Sequence, residues 1–166
     1  VQMLWLAEKE NLPVVRITQP MYNMIARGIE QEFLPMCEAF DISTVVYNPL
    51  AGGVLTGKHT GGTPAGGTRF DGNPMYQSRL WHDVNFEAVA ELGRVAAAEG
   101  RSLVSLALGW MLHHTPVTCA ILGASRLDQL ESNLKTLDDG ALSDDALAAC
   151  DGVWERLRGL TPKYNR

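Results

Sequence analysis

The sequence lacks the short motifs that identify several large enzyme classes. Its 166 residues contain no GxGxxG, GxxxxGK[ST] or GxSxG segment, so the Rossmann fingerprint, the P-loop and the nucleophile elbow are all absent. Nucleophilic hydrolase chemistry therefore has no candidate residue. No HxxxH pair and no group of carboxylates has the spacing of metal ligands, and we expect no bound metal.

Basic clusters, cysteine pairs and long apolar runs are also missing. Lys and Arg are scattered and the formal net charge is −5, which argues against a nucleic-acid or membrane-surface partner. Cys37, Cys119 and Cys150 form no CxxC pair, so we interpret them as small apolar residues. No run reaches the roughly 18 apolar residues of a membrane span, and no signal-peptide pattern opens the sequence. These absences predict a cytoplasmic protein.

What the sequence does contain is an alternation of short β-branched runs and longer amphipathic segments, which indicates an α/β fold. Strands are predicted at residues 12–19, 42–47 and 117–122. The first two begin about 30 residues apart, the repeat of a βα unit. Helices are predicted near residues 1–12, 32–40, 89–100, 102–111, 125–137 and 143–157. Ser102 and Ser143 are predicted to cap two of them, and Ser125 with Asp128 to form a capping box for a third.

One long segment without a clear period interrupts this alternation. Eight of the sixteen glycines fall between Gly52 and Gly72, so residues 51–81 are predicted to be a long, mobile loop and a candidate lid. At the other end of the chain, residues 161–166 are polar and are predicted to form an irregular tail.

Three strands do not close a barrel, since a complete (β/α)₈ barrel takes about 250 residues. An open three-stranded sheet would leave two edges unpaired and apolar surface exposed. The first residues also have helical periodicity with no cap or turn before them, which is typical of the middle of a helix. We therefore expect part of a larger barrel, with the remaining barrel or another chain covering the open sheet. The alternative is a complete, small three-layer α/β domain.

Two segments follow predicted strands and carry the polar residues of a candidate site: YNPLAGGVLTGK at residues 47–58 and ILGASRLDQLESN at residues 121–133. In α/β proteins, loops at the carboxyl ends of parallel strands hold the ligand. Tyr47 can present its ring to a flat heterocycle, or it can simply cap the side-chain layer beneath it. The residues after it favour the first interpretation.

These residues suit a diphosphate. Three of them form a tight turn whose backbone groups can face a pyrophosphate: Asn48, Pro49 and Leu50. Gly52 and Gly53 permit close approach because they lack a Cβ, and Lys58 adds a positive charge. Arg69 either closes over the cofactor, which we favour, or is a solvated loop residue. Gln19, which ends the first predicted strand, either holds a carboxamide or is an ordinary strand terminus.

The second segment suits an anion with a base attached. Free N–H groups of the helix start near Ser125 attract an anion, and the serine hydroxyl can donate to it. Arg126 can pair with a phosphate or stack on an adenine. Gln129 and Asn133 are four residues apart and share one helix face. An ordinary capped helix is the alternative, but a 2′-phosphate would explain these residues together, so we predict NADP(H) rather than NAD(H).

The ordered motifs QPMYN, YNPLAGGVLTGK, TRF and GASRLDQLESN resemble those of the aldo-keto reductases. The closest pattern is that of the branch with aryl-alcohol dehydrogenase-like enzymes and the β subunits of voltage-gated potassium channels. The resemblance runs along nearly the whole chain. It implies that residues 1–166 are the carboxyl-terminal, cofactor-binding part of one TIM barrel, covering its sixth to eighth strands.

The resemblance also implies roles for individual residues. Gln19 would bind the nicotinamide carboxamide and Tyr47 would stack on the nicotinamide ring. The pyrophosphate would lie along four residues, with Arg69 folded over it: Asn48, Leu50, Gly52 and Lys58. The adenosine 2′-phosphate end would be held by Gly123, Ser125, Gln129 and Asn133. Ser132 stands where the family usually has Glu, and Glu131 is the neighbour that can partly substitute.

By the same resemblance, the protein would use NADPH to reduce the carbonyl of a small aldehyde or ketone. The family's catalytic Asp, Tyr, Lys and His belong to amino-terminal strands and have no counterpart here, so no catalytic residue is predicted in this chain. Tyr22, Tyr47 and Tyr76 do not fit the proton donor, since none is placed with a Lys and an Asp on neighbouring strands. A non-catalytic NADP(H)-sensing subunit and an inactive truncated fragment are the alternatives.

Overall fold

The computed structural model describes residues 1–159, within which three strands form one parallel sheet in the order β1, β2, β3. These strands are β1 (Ile17–Thr18), β2 (Ser43–Val46) and β3 (Cys119–Ala120). Ile17 lies beside Ser43, and Val45 lies beside Cys119. Because all three strands run in one direction, the loops that leave them lie at one edge of the sheet. The predicted tail at residues 161–166 lies outside the described residues.

Helices flank this sheet and separate its strands. In chain order they are α1 (Gln2–Lys9), α2 (Phe33–Ala39), α3 (Pro74–Leu80), α4 (Asp83–Ala98), α5 (Leu103–His113), α6 (Leu127–Lys135) and α7 (Asp144–Arg158). Short 3₁₀ helices occupy Gly28–Glu30, Ala51–Thr56 and Thr136–Asp139. The α/β fold predicted from the alternating pattern is confirmed.

The strands are shorter than the sequence predicts. Residues 12–19 form regular strand only at Ile17–Thr18, and residues 117–122 only at Cys119–Ala120. Pro13 has no N–H to donate to a ladder, and β1 pairs only with β2 among the described residues. Single hydrogen bonds continue the pairing on either side, for example from Ile121 N to the Val46 carbonyl at 2.8 Å.

The prediction of one long loop at residues 51–81 is wrong in part. The segment contains the 3₁₀ helix after β2 and the two-turn helix α3. Asn73 starts α3, since its Oδ1 accepts a hydrogen bond from Tyr76 N at 3.3 Å and Pro74 follows as the first helical residue. The surrounding glycines obscured this start signal in the sequence.

Two of the three predicted helix caps are confirmed. Ser102 Oγ accepts from Ser105 N at 3.0 Å, and Ser143 Oγ accepts from Ala146 N at 3.2 Å. The capping box at Ser125 is wrong, because α6 has Arg126 at its N-cap and no side-chain cap. The expected partner residue, Asp128, pairs instead with the Arg126 guanidinium.

The hydrophobic core lies between the sheet and helices α4, α5 and α7. Its largest fully buried side chains include Leu92, Leu106, Trp110 and Met111. The carboxyl-terminal half of this core is closed by α7, whose Cys150 and Val153 are buried. α7 packs on α4, which packs on α5, and α5 contacts β3, so these helices support the side of the sheet from which the loops leave.

Apolar surface stays exposed on both flanks of the sheet, as predicted for an open one. On the β1 side Ile17 is 64% exposed, and Val14 and Val15 are also exposed. On the β3 side α6 exposes Leu127 by 70%, together with Leu130 and Leu134. Such surface is typical of a face that packs against another part of a protein. Among residues 1–159, no helix is both long and apolar enough to cross a membrane.

An acid-sensitive contact joins the end of α4 to the start of α7. Glu99 accepts hydrogen bonds from Ser143 N at 3.2 Å and from Ser143 Oγ at 2.6 Å. These bonds hold the pKa of Glu99 below its usual value. A carboxyl group with a lowered pKa stabilises the fold above its unfolded pKa, and the contribution is lost as pH falls through the folded pKa.

We therefore expect Glu99→Gln to unfold less steeply than the parent protein as pH drops below about 4, because glutamine keeps the acceptor and does not titrate. Circular dichroism during acid titration measures this difference. Identical acid-unfolding curves for the two proteins would show that the contact with Ser143 does not contribute.

Candidate functional site

A cleft of about 1130 Å³ opens at the carboxyl ends of β2 and β3, between the loops that follow these strands. Twelve of the thirteen residues predicted from sequence line it: Tyr47, Asn48, Pro49, Leu50, Gly52, Lys58, Arg69, Gly123, Ser125, Arg126, Gln129 and Asn133. Tyr47 and Ser125 therefore face one continuous space. A single elongated ligand could contact both loops at once.

Gln19 is the predicted residue that does not line the cleft. It follows β1 directly and its residue surface is exposed. Tyr47 directly follows the neighbouring strand β2, and Tyr47 N donates to the Pro20 carbonyl at 3.0 Å, so Gln19 is close to the rim in sequence and in space. Its contact with a carboxamide stays a prediction.

A tight turn after β2 forms the floor of the cleft. Asn48 has a left-handed backbone with φ of 63°, which asparagine tolerates better than most residues. Its Oδ1 accepts a hydrogen bond from Gly52 N at 2.7 Å and so closes the turn. This bond fixes the turn from Asn48 to Gly52 at the cleft, which both residues line.

Two glycines in this turn have positive φ angles, at which a residue with a side chain would be strained, and one of them also lacks space for a Cβ. Gly52 has φ of 66°, and a Cβ there would lie 3.3 Å from the rings of Phe70 and Tyr76. Gly53 has φ of 105°, and a Cβ there would lie 3.6 Å from Lys58 Cε. The glycines therefore let the turn pack against the aromatic rings while its backbone still faces the ligand space.

An aromatic cluster, defined as His59, Phe70, Tyr76, Trp81 and Phe86, anchors the glycine-rich segment. Phe70 is fully buried, with its ring centroid 4.7 Å from that of Trp81. Trp81 Nε1 donates to the Gly62 carbonyl at 2.7 Å, and Gln77 Nε2 donates to the Phe70 carbonyl at the same distance. Arg69, next to Phe70, is thus held at the cleft edge.

Charge in this part of the cleft is positive. Lys58 and Arg69 both line the space and are exposed, with the Arg69 guanidinium 5.6 Å from the centre of the Tyr76 ring. Burial lowers the pKa of His59, and the nearby Lys58 lowers it further. His59 therefore favours its neutral form near neutral pH, and the two exposed side chains carry the charge.

The start of α6 forms the other end of the cleft. Ser125 N and Ser125 Oγ both donate to Gln129 Oε1, at 3.1 and 3.2 Å. Arg126 makes a two-pronged pair with Asp128, with nitrogen–oxygen distances of 2.9 and 2.7 Å. The pair raises the pKa of Arg126 and lowers the pKa of Asp128. The guanidinium is therefore charged and oriented at the cleft wall. Asn133 is 7% exposed and lies deeper.

Sequence reasoning missed several residues that line the cleft. Tyr76 belongs to the unpredicted helix α3, and Val104 lies in the first turn of α5. Thr56 and Thr68 contribute from the segment after β2, and Asp128 was assigned only to a cap. Asn73 followed by Pro74 is the signal that would have placed α3, and Tyr76 with it, at this edge.

The tyrosines occupy different environments. Tyr22 is fully buried, donates to Glu30 Oε1 at 2.5 Å, and has a raised pKa because of burial and the adjacent Glu30. Tyr47 and Tyr76 line the cleft. Within residues 1–159, no group of three or more His, Cys, Asp or Glu side chains could hold a metal ion.

Parallel strands with a ligand-sized cleft at their carboxyl ends are typical of ligand-binding α/β proteins, both barrels and open sheets. The sequence model of the Aldo/keto reductase family matches residues 1–155. The chain belongs to the aldo/keto reductase family.

Comparison with individual proteins agrees with this membership. The chain is 36% identical over 167 aligned positions to aflatoxin B1 aldehyde reductase member 2 of Mus musculus, covering 90% of this chain and 45% of the mouse protein. It is 30% identical over 154 positions to L-glyceraldehyde 3-phosphate reductase of Escherichia coli (strain K12), covering 90% of this chain and 44% of that protein. The chain spans about half the length of the curated relatives it matches.

A solved structure places the fold within a barrel. A glycerol dehydrogenase from Gluconobacter oxydans superposes with a TM-score of 0.73 and 26% identity, covering 92% of this chain and 46% of the dehydrogenase. The three-stranded open sheet therefore corresponds to part of an aldo-keto reductase barrel, as the motifs predicted.

Proposed function

We propose that this chain carries the NADP(H)-binding half of an oxidoreductase that reduces aldehyde or ketone carbonyls. The observation that carries the proposal is the single cleft shared by Tyr47 and Ser125, which come from loops about 80 residues apart along the chain. Its volume of about 1130 Å³ exceeds the roughly 300–1,000 Å³ of pockets for drug-sized ligands, and so suits a dinucleotide.

The residues present fit the chemistry of such a cofactor. Tyr47 is 41% exposed where it follows β2 at the cleft, and its ring offers a flat apolar face to a nicotinamide. Backbone without Cβ at Gly52 and Gly53, with Lys58 and Arg69 nearby, suits a pyrophosphate. When bound, the nicotinamide supplies a hydride. Tyr47 would fix which face of the ring points toward the carbonyl.

The far end of the cleft favours a 2′-phosphate. Arg126 is fully charged and held by Asp128, and the Ser125 hydroxyl can turn from Gln129 to an incoming anion. Charge-assisted hydrogen bonds to a phosphate are about twice as strong as neutral ones. A cofactor with only a 2′-hydroxyl would forgo them, so NADPH is preferred over NADH.

Arg126→Gln is expected to weaken NADPH binding about tenfold and to leave NADH binding nearly unchanged, because only the 2′-phosphate meets the guanidinium. Lys135→Gln is the matched control, since it removes the same charge from the last turn of α6 and does not line the cleft. Isothermal titration with both nucleotides gives the four affinities. Equal losses for the two nucleotides, or equal effects of the two variants, would contradict a 2′-phosphate at Arg126.

The acid that protonates the carbonyl oxygen would come from outside this chain. Tyr22 is buried away from the cleft, and neither Tyr47 nor Tyr76 has a described hydrogen bond or ion pair to a lysine or aspartate. The exposed apolar flanks at β1 and α6 are where the remaining strands would pack. We propose that this packing brings the acid to the Tyr47 end of the cleft.

The test is oxidation of NADPH by the whole protein in the presence of small aldehydes and ketones, followed by loss of the reduced nicotinamide absorbance. We expect carbonyl-dependent oxidation. Tight NADPH binding with no turnover on any carbonyl would instead indicate an NADP(H)-sensing subunit. Absence of nucleotide binding would overturn the proposal itself.

A further inference from the structure

The segment after β1 contains a fully buried amide that no role yet accounts for. Asn23 has no exposed surface and belongs to the QPMYN motif. Its Nδ2 donates to the backbone carbonyl of Asn48 at 3.1 Å and lies 3.5 Å from Met21 Sδ. Its Oδ1 accepts from Ile25 N at 3.1 Å. One side chain therefore ties the segment after β1 to the turn that forms the floor of the cleft.

The orientation of this amide follows from its partners. Ile25 N can only donate, so it must face the amide oxygen, and the Asn48 carbonyl can only accept, so it must face the amide nitrogen. No other side chain type offers both groups with this length. The half-buried Asn48 carbonyl also accepts from Ala51 N at 2.9 Å, so without Asn23 it would keep this bond within the turn and lose the one that ties it to the segment after β1.

Asn23 itself lies in a segment that is held in place by its own hydrogen bonds and ion pairs. Its backbone carbonyl accepts from Ala26 N at 3.0 Å, which closes a tight turn. The next turn is fixed by Arg27, which pairs with Glu30 at 2.7 Å and with Asp151 of α7 at 2.6 Å. Because Arg27 ties this segment to α7, the hydrogen bond from Asn23 fixes the position of Asn48 relative to the core.

We propose that Asn23 is a positioning residue for the nicotinamide and pyrophosphate end of the cleft. It acts through the Asn48 carbonyl, which follows Tyr47 directly and belongs to the residue that closes the turn onto Gly52. The inference rests on the proposed cofactor. It adds that the left-handed Asn48 holds its place because a buried amide, more than twenty residues earlier in the chain, restrains it.

The adenosine end of the cleft does not depend on this restraint. The described hydrogen bonds of Ser125 and Arg126 go to Gln129 and Asp128, all within the start of α6. Asn23 therefore has different consequences for two ligands. In the proposed binding mode NADPH occupies both ends of the cleft, whereas adenosine 2′-monophosphate, which has no 5′-phosphate, carries only the groups that would bind at α6.

The test uses Asn23→Ser in the whole protein, because a serine hydroxyl can still accept from the N–H two residues on but is too short to reach Asn48. NADPH and adenosine 2′-monophosphate are titrated separately by calorimetry. We expect the NADPH dissociation constant to rise about tenfold, as for one lost hydrogen bond, with that of the monophosphate unchanged. Ser105→Ala is the control, since it removes the hydrogen bond of another buried side chain that does not line the cleft and should move neither constant.

The outcomes separate the two proposals. If the parent protein binds neither ligand, the proposed function fails. If the parent protein binds both and Asn23→Ser weakens them equally or not at all, the positioning role is overturned while the proposed function stands. Should Asn23→Ser not fold, Asn23→Gln replaces it, because it keeps the amide but displaces it by one methylene. The same split between the two ligands is then required.

Discussion

Replacing Arg27 with methionine is expected to lower the free energy of unfolding by about 3 kcal/mol, the lower end of the range for breaking a buried ion pair from one side. The Arg27 side chain is only 12% exposed and meets two carboxylates, those of Glu30 and Asp151. Its guanidinium also lies 4.8 Å from the centre of the Trp110 ring. Methionine keeps the apolar stem over the tryptophan but leaves both carboxylates without their cation.

The matched control is Arg156→Met. Arg156 pairs with Glu91 at 2.5 Å, as closely as Arg27 pairs with Asp151, but its side chain is 60% exposed. Solvent screens such a pair, so we expect a loss of no more than about 1 kcal/mol. Urea unfolding of the whole protein measures both variants. Similar losses for the two would mean that the Arg27 cluster does not hold the segment after β1 to α7.

Alanine at Gly52 is expected to weaken NADPH binding by at least about tenfold. A residue with a Cβ in the left-handed region costs about 1–2 kcal/mol, and here the Cβ would also lie 3.3 Å from the Phe70 and Tyr76 rings. The turn must shift to relieve this contact, and the shift displaces the backbone that we propose faces the pyrophosphate. Fluorescence titration with NADPH gives the affinity.

Gly62→Ala separates backbone strain from displacement of the turn. Gly62 has φ of 70°, close to the 66° of Gly52, but nothing lies within 4 Å of a Cβ there and the residue does not line the cleft. We expect Gly62→Ala to lose about 1–2 kcal/mol of its free energy of unfolding, the cost of the left-handed backbone alone, and to keep its NADPH affinity. A loss of affinity in Gly62→Ala as large as in Gly52→Ala would show that the contact with the rings is not the cause.

The sequence predicts the kind and order of the strands better than their extent. The β-branched runs locate β1, β2 and β3 correctly, because burial on a parallel sheet selects such residues. The ends of each strand depend on whether a neighbour supplies hydrogen bonds. Leu12 and Val14 are as apolar as strand residues, yet no described strand pairs with them, and no local pattern reports this.

Local competition explains the helix caps. Ser102 and Ser143 cap α5 and α7 as predicted, and Ser143 does so although its hydroxyl also donates to Glu99, because donation leaves its oxygen able to accept. At Ser125 the same pattern fails because the neighbouring Arg126 captures Asp128 and Gln129 accepts from Ser125. Four polar residues within about one turn admit several pairings, and only the folded geometry selects one set.

The cleft was largely predictable, since its residues cluster in two short segments that each follow a strand. Missing from the prediction were residues brought in by packing alone, such as Tyr76 on α3 and Val104 on α5. Asn23 is a further example. Its role depends on a contact with Asn48 across the sheet edge, and a sequence motif by itself does not show which backbone group a buried amide will meet.

The central claim is that the loops after β2 and β3 grip one NADP(H) molecule between them. A crystal structure of the whole protein with NADP⁺ tests it most directly. We expect electron density along the cleft, with the nicotinamide ring on Tyr47 and the 2′-phosphate beside Ser125 and Arg126. Density for the nucleotide elsewhere, or contact with only one of the two loops, would contradict the claim.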